Sequence, residues 1–131
     1  MHSRSSTSVL SVALLASRAL VASQAQGAGD PVAGKAIFAQ CLACHVIEAG
    51  PNGPIGPNLR GVLGKRAASN RSDFAYSDAL KKSGLTWDDA TLDTWIKNPA
   101  TLVPGTKMEF VGLTKKEKRD DVIAYLKEAL K

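Results

Sequence analysis

Cys41-Leu42-Ala43-Cys44-His45 holds both cysteines of a 131-residue chain and one of its two histidines. Two thiols three positions apart, followed at once by an imidazole, form the attachment signature of a c-type haem. The spacing has a chemical reason. The thiols can reach the two vinyl groups along one porphyrin edge and form thioethers, and the next residue then lies beneath the iron, where a ring nitrogen can ligate it. Rival readings ask for residues the chain lacks. A structural zinc site takes four Cys/His ligands, and the other histidine, His2, falls in a segment with the marks of a leader. A disulfide oxidoreductase CxxC belongs in a βαβ setting, and no such pattern surrounds this one. Haem attachment uses every cysteine and leaves none for a structural disulfide.

Residues 1–29 contain no acidic residue. Arg4 precedes the apolar run Val9 to Ala16, and small residues follow through Ala22, Ser23, Ala25, Gly27 and Ala28. That is the order of a secretory signal peptide. Ser23-Gln24-Ala25 and Ala25-Gln26-Gly27 both fit a small-x-small cleavage rule, so residues 1–27 are expected to be removed, leaving a domain over 28–131 in the periplasm. The same Ser/Arg-rich, acid-free composition, with Arg18 interrupting the apolar region, also suits a mitochondrial presequence and hence the intermembrane space. Val9 to Ala22 falls short of the ~20 apolar residues of a spanning helix and carries a charge, so no permanent membrane span is expected. The formal charge of +5 becomes +3 without Arg4 and Arg18, with 15 basic residues against 12 acidic. Nucleic acid is not the expected partner, because no aromatic-basic motif accompanies the charge. A chain this short forms one domain with a limited core, to which a covalently held haem would add apolar contact.

After the leader the pattern is all-α with long loops. Asp30-Pro31 reads as an N-cap and a proline at the first helical position, opening a helix to about Cys41 with Gly34, Ile37, Phe38 and Cys41 on one face. Gly34 weakens a helix and so marks a close contact. Residues 50–64, with three prolines and five glycines, have neither the helical nor the strand period and read as a loop wrapped over something. Tyr76 to Lys82 is expected to be a short helix ended by Gly84. Thr86-Trp87-Asp88-Asp89 reads as a capping box, with Asp in place of Glu or Gln. The helix behind it turns Leu92, Trp95 and Ile96 inward and stops before Pro99. Residues 98–113 read as a second irregular segment. Thr114-Lys115-Lys116-Glu117 reads as a capping box for a last helix with Val122, Ile123, Leu126, Ala129 and Leu130 inward and the lysines and arginine on the solvated face.

An iron held by His45 has a second face to fill, by Met108, a lysine or water. Met108 is the only methionine outside the leader. A lone methionine is more often a core filler, but the turn-rich Val103-Pro104-Gly105-Thr106-Lys107 before it can aim the side chain back at a cofactor. An open iron face would instead suit a haem peroxidase or a ligand-binding cytochrome.

The motifs in order resemble those of class I cytochromes c, of the small mitochondrial and bacterial c2 type. They are Gly34 and Phe38, Cys41-x-x-Cys44-His45, Gly56-Pro57-Asn58-Leu59-x-Gly61, Phe74-x-Tyr76-x-x-Ala79, Trp87, Asn98-Pro99, Pro104-Gly105-Thr106-Lys107-Met108 and Ala124-Tyr125-Leu126. The resemblance implies first and last helices that cross, and two long loops around one covalently bound haem c. It implies thioethers at Cys41 and Cys44, His45 as proximal ligand and Met108 as distal ligand. By it, Pro57 accepts from the His45 ring, Tyr76 and Trp87 bond a buried propionate, and Thr106 stands near the haem. The implied function is one-electron shuttling, not enzymatic, by a monomer that presents Lys35, Lys107 and Lys115 to redox complexes with acidic docking surfaces. Trp95 replaces a tyrosine common near the methionine, Lys65 an arginine near a propionate, and Gly53 a loop-bracing histidine. Leu80, in place of an asparagine of the mitochondrial proteins, points to a bacterial member.

Overall fold

The computed structural model describes residues 29–131, so the expected leader and its cleavage point lie outside the described residues. Helix α1, Pro31–Phe38, starts where the Asp30 carboxylate accepts the Val32 N–H at 2.9 Å, with Pro31 in the first turn. It ends short of Cys41 because the chain tightens into a 3-10 segment, Ala39–Ala43, whose i→i+3 bonding takes fewer residues per turn than an α-helix. The N–H groups of Cys44 and His45 both donate to the Cys41 carbonyl, at 3.1 and 2.9 Å, and fold the CxxCH into one turn.

α2 is Asp78–Lys82, two residues shorter than expected, because the Ser77 hydroxyl caps it at the Leu80 N–H. It is followed by Gly84 at φ +69°, the left-handed backbone that glycine adopts without a Cβ penalty. α3, Asp89–Lys97, is capped by Asp88 rather than by Thr86. The backbone of Thr86 is engaged in an isolated bridge with Arg66, so the capping carboxylate comes from two residues further on. Leu92, Trp95 and Ile96 are buried along α3. Asn98 then ends α3 and caps α4, Pro99–Leu102, accepting the Thr101 N–H at 3.0 Å. The expected irregular stretch over 98–113 therefore holds a helical turn, opened by the same Asx-Pro pair that opens α1.

α5, Lys116–Ala129, differs from expectation at its start. Lys115 is the N-cap and supplies no side-chain bond. The Thr114 carbonyl instead accepts from Arg119, which is buried rather than solvated. Arg119 lies three, four and seven residues before Val122, Ile123 and Leu126. The apolar stripe, run backwards one turn, reaches it.

The first and last helices cross where Gly34 has no side chain: a Cβ there would run into the Asp121 carbonyl of α5. Beside the crossing the Phe38 and Tyr125 rings lie 5.4 Å apart, and the Asp30 N–H donates to the Asp121 carboxylate at 2.7 Å. Among the described residues there is no strand, only the bridges Val46 with Asn58 and Arg66 with Thr86, and no helix is long and apolar enough to cross a membrane. The loop over 50–64 is pinned by side chains instead. Asn58, 1% exposed, donates to the carbonyls of Glu48 (2.7 Å), Pro51 (3.0 Å) and Gly50 (3.3 Å) and accepts from the Arg60 N–H (2.9 Å).

Candidate haem-binding site

A cavity of about 520 Å³ opens between the 3-10 segment, the loop over 50–64, α2, α3, the arm after α4, and α5. Its wall is mainly apolar, with Phe38, Leu59, Leu80, Leu92, Ile96, Phe110, Val122 and Leu126 among its residues. The volume and lining fall in the range of a cofactor pocket, which is mostly apolar with few placed polar groups.

The CxxCH turn sets Cys41, Cys44 and His45 on one side of this wall. The His45 ring is fixed by its Nδ1, 2.8 Å from the Pro57 carbonyl. Held by a carbonyl, Nδ1 is the protonated nitrogen and donates, so Nε2 carries the free lone pair. Among the described residues Nε2 has no protein partner and no buried side-chain nitrogen or oxygen goes unpartnered; Nε2 must therefore be reached from the cavity. One face of the ring lies against Gly56, where a Cβ would come within 2.6 Å of Cε1. Burial lowers the His45 pKa from its ordinary value, outweighing the Pro57 bond, and so favours the neutral, metal-ligating imidazole. Burial, and then the neighbouring Cys44, push the Cys41 thiol up to about 11. A thiol so held is protonated at neutral pH, which disfavours thiol–disulfide exchange.

Met108 is on the wall too, brought there by α4 and the arm that follows. Thr106 N–H donates to the Val103 carbonyl at 3.0 Å, and the Thr106 hydroxyl accepts the Met108 N–H at 3.2 Å. Pro57, Tyr76, Trp87, Thr106 and Lys107 share the cavity. Trp87 meets Trp95 edge to face at 5.2 Å, so Trp95 supplies an apolar wall. Lys107 Nζ donates to the Ala75 carbonyl at 3.3 Å. Lys35 on α1 and Lys115 before α5 are exposed and do not line the cavity. The side chain of Lys65 is exposed and off the wall, although its carbonyl accepts the Trp87 N–H. Gly53 runs so close to the Cys44 carbonyl that a Cβ would collide with it. No histidine fits there, and the Asn58 bonds brace the loop.

Two groups escaped the sequence reading. Asn58 lies inside a motif that gives it no role of its own, and the sequence pattern does not mark its partners Asn52 and Asn70: Asn52 accepts the Asn58 N–H and Asn70 donates to the Asn58 carbonyl. Such polar hubs have no periodicity, and only the run of asparagines around a Pro/Gly-rich loop hints at them. Arg119 is the other.

The family model for cytochrome c matches residues 31–129. The chain belongs to the cytochrome c family. Its relatives place it with the class I proteins of c2 type. It is 46% identical over 117 residues to cytochrome c2 of Rhodomicrobium vannielii, covering 89% of this chain and 93% of the relative. It is 50% identical over 101 residues to cytochrome c2 of Rhodoblastus acidophilus, covering 77% and 94%. Among solved structures, cytochrome cH from Methylobacterium extorquens superposes with a TM-score of 0.71 at 53% identity, covering 76% of this chain and 99% of that one. The all-α expectation and the cytochrome c fold stand. The cofactor of the family is one covalently bound haem c. This cytochrome is accordingly a haem electron carrier, an electron-transfer protein rather than an enzyme. The apolar cavity, the two thiols and the free Nε2 fit that group.

Proposed function

We propose that this cytochrome shuttles single electrons through a six-coordinate haem whose iron is held by His45 and Met108 and whose edge is bound by Cys41 and Cys44. One observation carries the reading: the His45 imidazole, tethered through Nδ1 at 2.8 Å, and the only methionine outside the leader face the same apolar cavity as both thiols. When bound, the haem supplies a one-electron Fe(III)/Fe(II) couple, which a thioether ligand biases toward the reduced state. The chain does the rest. Pro57 fixes the tautomer and raises the basicity of His45, Met108 closes the second side against small molecules, and the apolar wall excludes water. Tyr76 and Trp87 suit the polar end of the group, and Thr106 orients the methionine segment.

Lys35, Lys107 and Lys115 are the proposed docking residues for redox complexes with acidic surfaces. Lys35 and Lys115 have no carboxylate partner among the described residues, whereas Lys116 and Lys127 are paired with Asp120 and Asp89. Steering by such charges makes association fall with added salt. The protein acts as a monomer in the periplasm, after removal of residues 1–27.

The decisive measurement is the absorption spectrum of the ferric protein. A weak far-red band from iron–sulfur bonding is expected, lost in Met108→Ala, which should also bind carbon monoxide readily in the ferrous state. A parent that lacks the band and takes up cyanide or carbon monoxide freely would move the reading to a peroxidase or ligand-binding cytochrome.

A further inference from the structure

Arg119 is 5% exposed, and its bonds run in three directions. Nε donates to the Asp93 carboxylate of α3 at 2.8 Å. Nη1 donates to the carbonyls of Leu113 and Thr114, each at 2.9 Å. Those two carbonyls belong to the far root of the arm that carries Met108. The near root is Val103, buried and bonded to the Pro99 carbonyl through its N–H. Between the roots, residues 107–112 make no backbone–backbone hydrogen bond among the described residues. The position of Met108 is thus set by the Thr106 hydroxyl, by the Lys107 bond to the Ala75 carbonyl and by the two roots. At the far root, Leu113 donates to the Ile96 carbonyl at 2.9 Å, and Gly112, at φ +95°, lies too close to the Lys97 carbonyl to admit a Cβ. Arg119 completes this root from α5, whose N-cap offers no side-chain bond.

We infer that Arg119 is a positioning residue for Met108: its guanidinium locks the far root of the methionine arm onto α3 and α5. The inference rests on the reading of Met108 as an iron ligand. The choice of residue supports it. Arg119 continues the apolar stripe of α5, where a leucine or methionine would fill space without the desolvation cost of a buried ion pair. An apolar side chain there cannot hold two carbonyls. A planar fork can, with charge-assisted bonds strengthened by the dry surroundings. A thioether is a weak iron ligand, so slack in the arm appears first as loss of that bond, as a local opening rather than global unfolding.

The test uses the full haem-loaded protein. Arg119→Met is compared with Arg119→Lys, which keeps the charge beside Asp93 but lacks the fork. A control, Asp30→Ala, loses the cap of α1, because its side chain bonds Val32 and not the arm. The readouts are the far-red band, the affinity for added imidazole at neutral pH, and the denaturant midpoint. Loss of charge-assisted bonds at the root should weaken the band in Arg119→Met and tighten imidazole binding roughly tenfold. Arg119→Lys should fall between, and Asp30→Ala should lower the midpoint with imidazole affinity unchanged. An imidazole affinity for Arg119→Met within about twofold of the parent, whatever its midpoint, overturns the inference and leaves the Met108 reading intact. If Arg119→Met does not fold, the same criterion applies to Arg119→Lys. A parent with no far-red band overturns the ligand reading and the inference with it.

Discussion

Asn58 organises the His45 side of the cavity although its own hydrogen bonds go to the loop and not to the ring. Its carbonyl neighbour in sequence, Pro57, holds the His45 ring, and its amide group gathers three loop carbonyls that neither a helix nor a strand would satisfy. Truncation in Asn58→Ala leaves those carbonyls and the Arg60 N–H without partners in a buried place, at a cost of about 1–3 kcal/mol. Asn58→Asp should do no better, since it keeps an acceptor for Arg60 and loses both donors. Denaturant unfolding of the two variants checks this, and a loss within experimental error for either would show that water serves the loop equally well. The contrast with His45 explains what a sequence reveals at this scale. Cys41, Cys44 and His45 are legible because the CxxCH spacing is itself the attachment signature of a c-type haem. Asn58 and Arg119 act on carbonyls, which every residue has, so nothing in a one-dimensional pattern names their partners.

Helix starts show how local signals compete. Asp30, Ser77, Asp88 and Asn98 each cap a helix through a side-chain oxygen, while Thr86 and Thr114, which fit the box pattern better, do not. Thr86 loses to the bridge with Arg66, and Thr114 lies a residue outside the helix with its carbonyl given to Arg119. Helix existence and the inward faces of α3 and α5 followed from periodicity; the first residues depended on tertiary demands. Asp88 makes this measurable. The Thr91 N–H, 2.8 Å from its carboxylate, holds the Asp88 pKa below the ordinary 3.8. A depressed folded pKa means that the ionised cap adds stability above the unfolded value, and that this is lost as pH falls below about 4 through the folded value. Asp88→Asn keeps the accepting oxygen, so it should match the parent at neutral pH and lose less on acidification. Asp88→Ala should lower the melting temperature by a few degrees at neutral pH. Parallel acid titrations of parent and Asp88→Asn would contradict the assignment.

At the scale of the molecule, core and cavity are nearly one object. Of the buried hydrophobic residues, all but Ala67, Val103 and Ile123 also line the cavity. The crossing of α1 and α5 is the main contact that does not depend on what the cavity holds, since Gly34 meets Asp121 backbone to backbone. Because most of the buried apolar side chains face the cavity, the helices have little core of their own to pack on when it is empty, and about 520 Å³ of apolar space cannot be filled by water without cost. Binding that occurs only in the folded state adds its free energy to folding. The haem-free double variant Cys41→Ser, Cys44→Ser should therefore lack a cooperative thermal transition, lose most of its far-ultraviolet helical signal, and bind a hydrophobic dye. The residual helicity should concentrate in α1 and α5, detectable as amide exchange protection at Gly34 and Val122 above that of α2 and α3. A sharp melt with near-native helicity in the haem-free chain would mean that the helices pack without the cofactor, and the cavity would then be a preformed pocket rather than the centre of the fold.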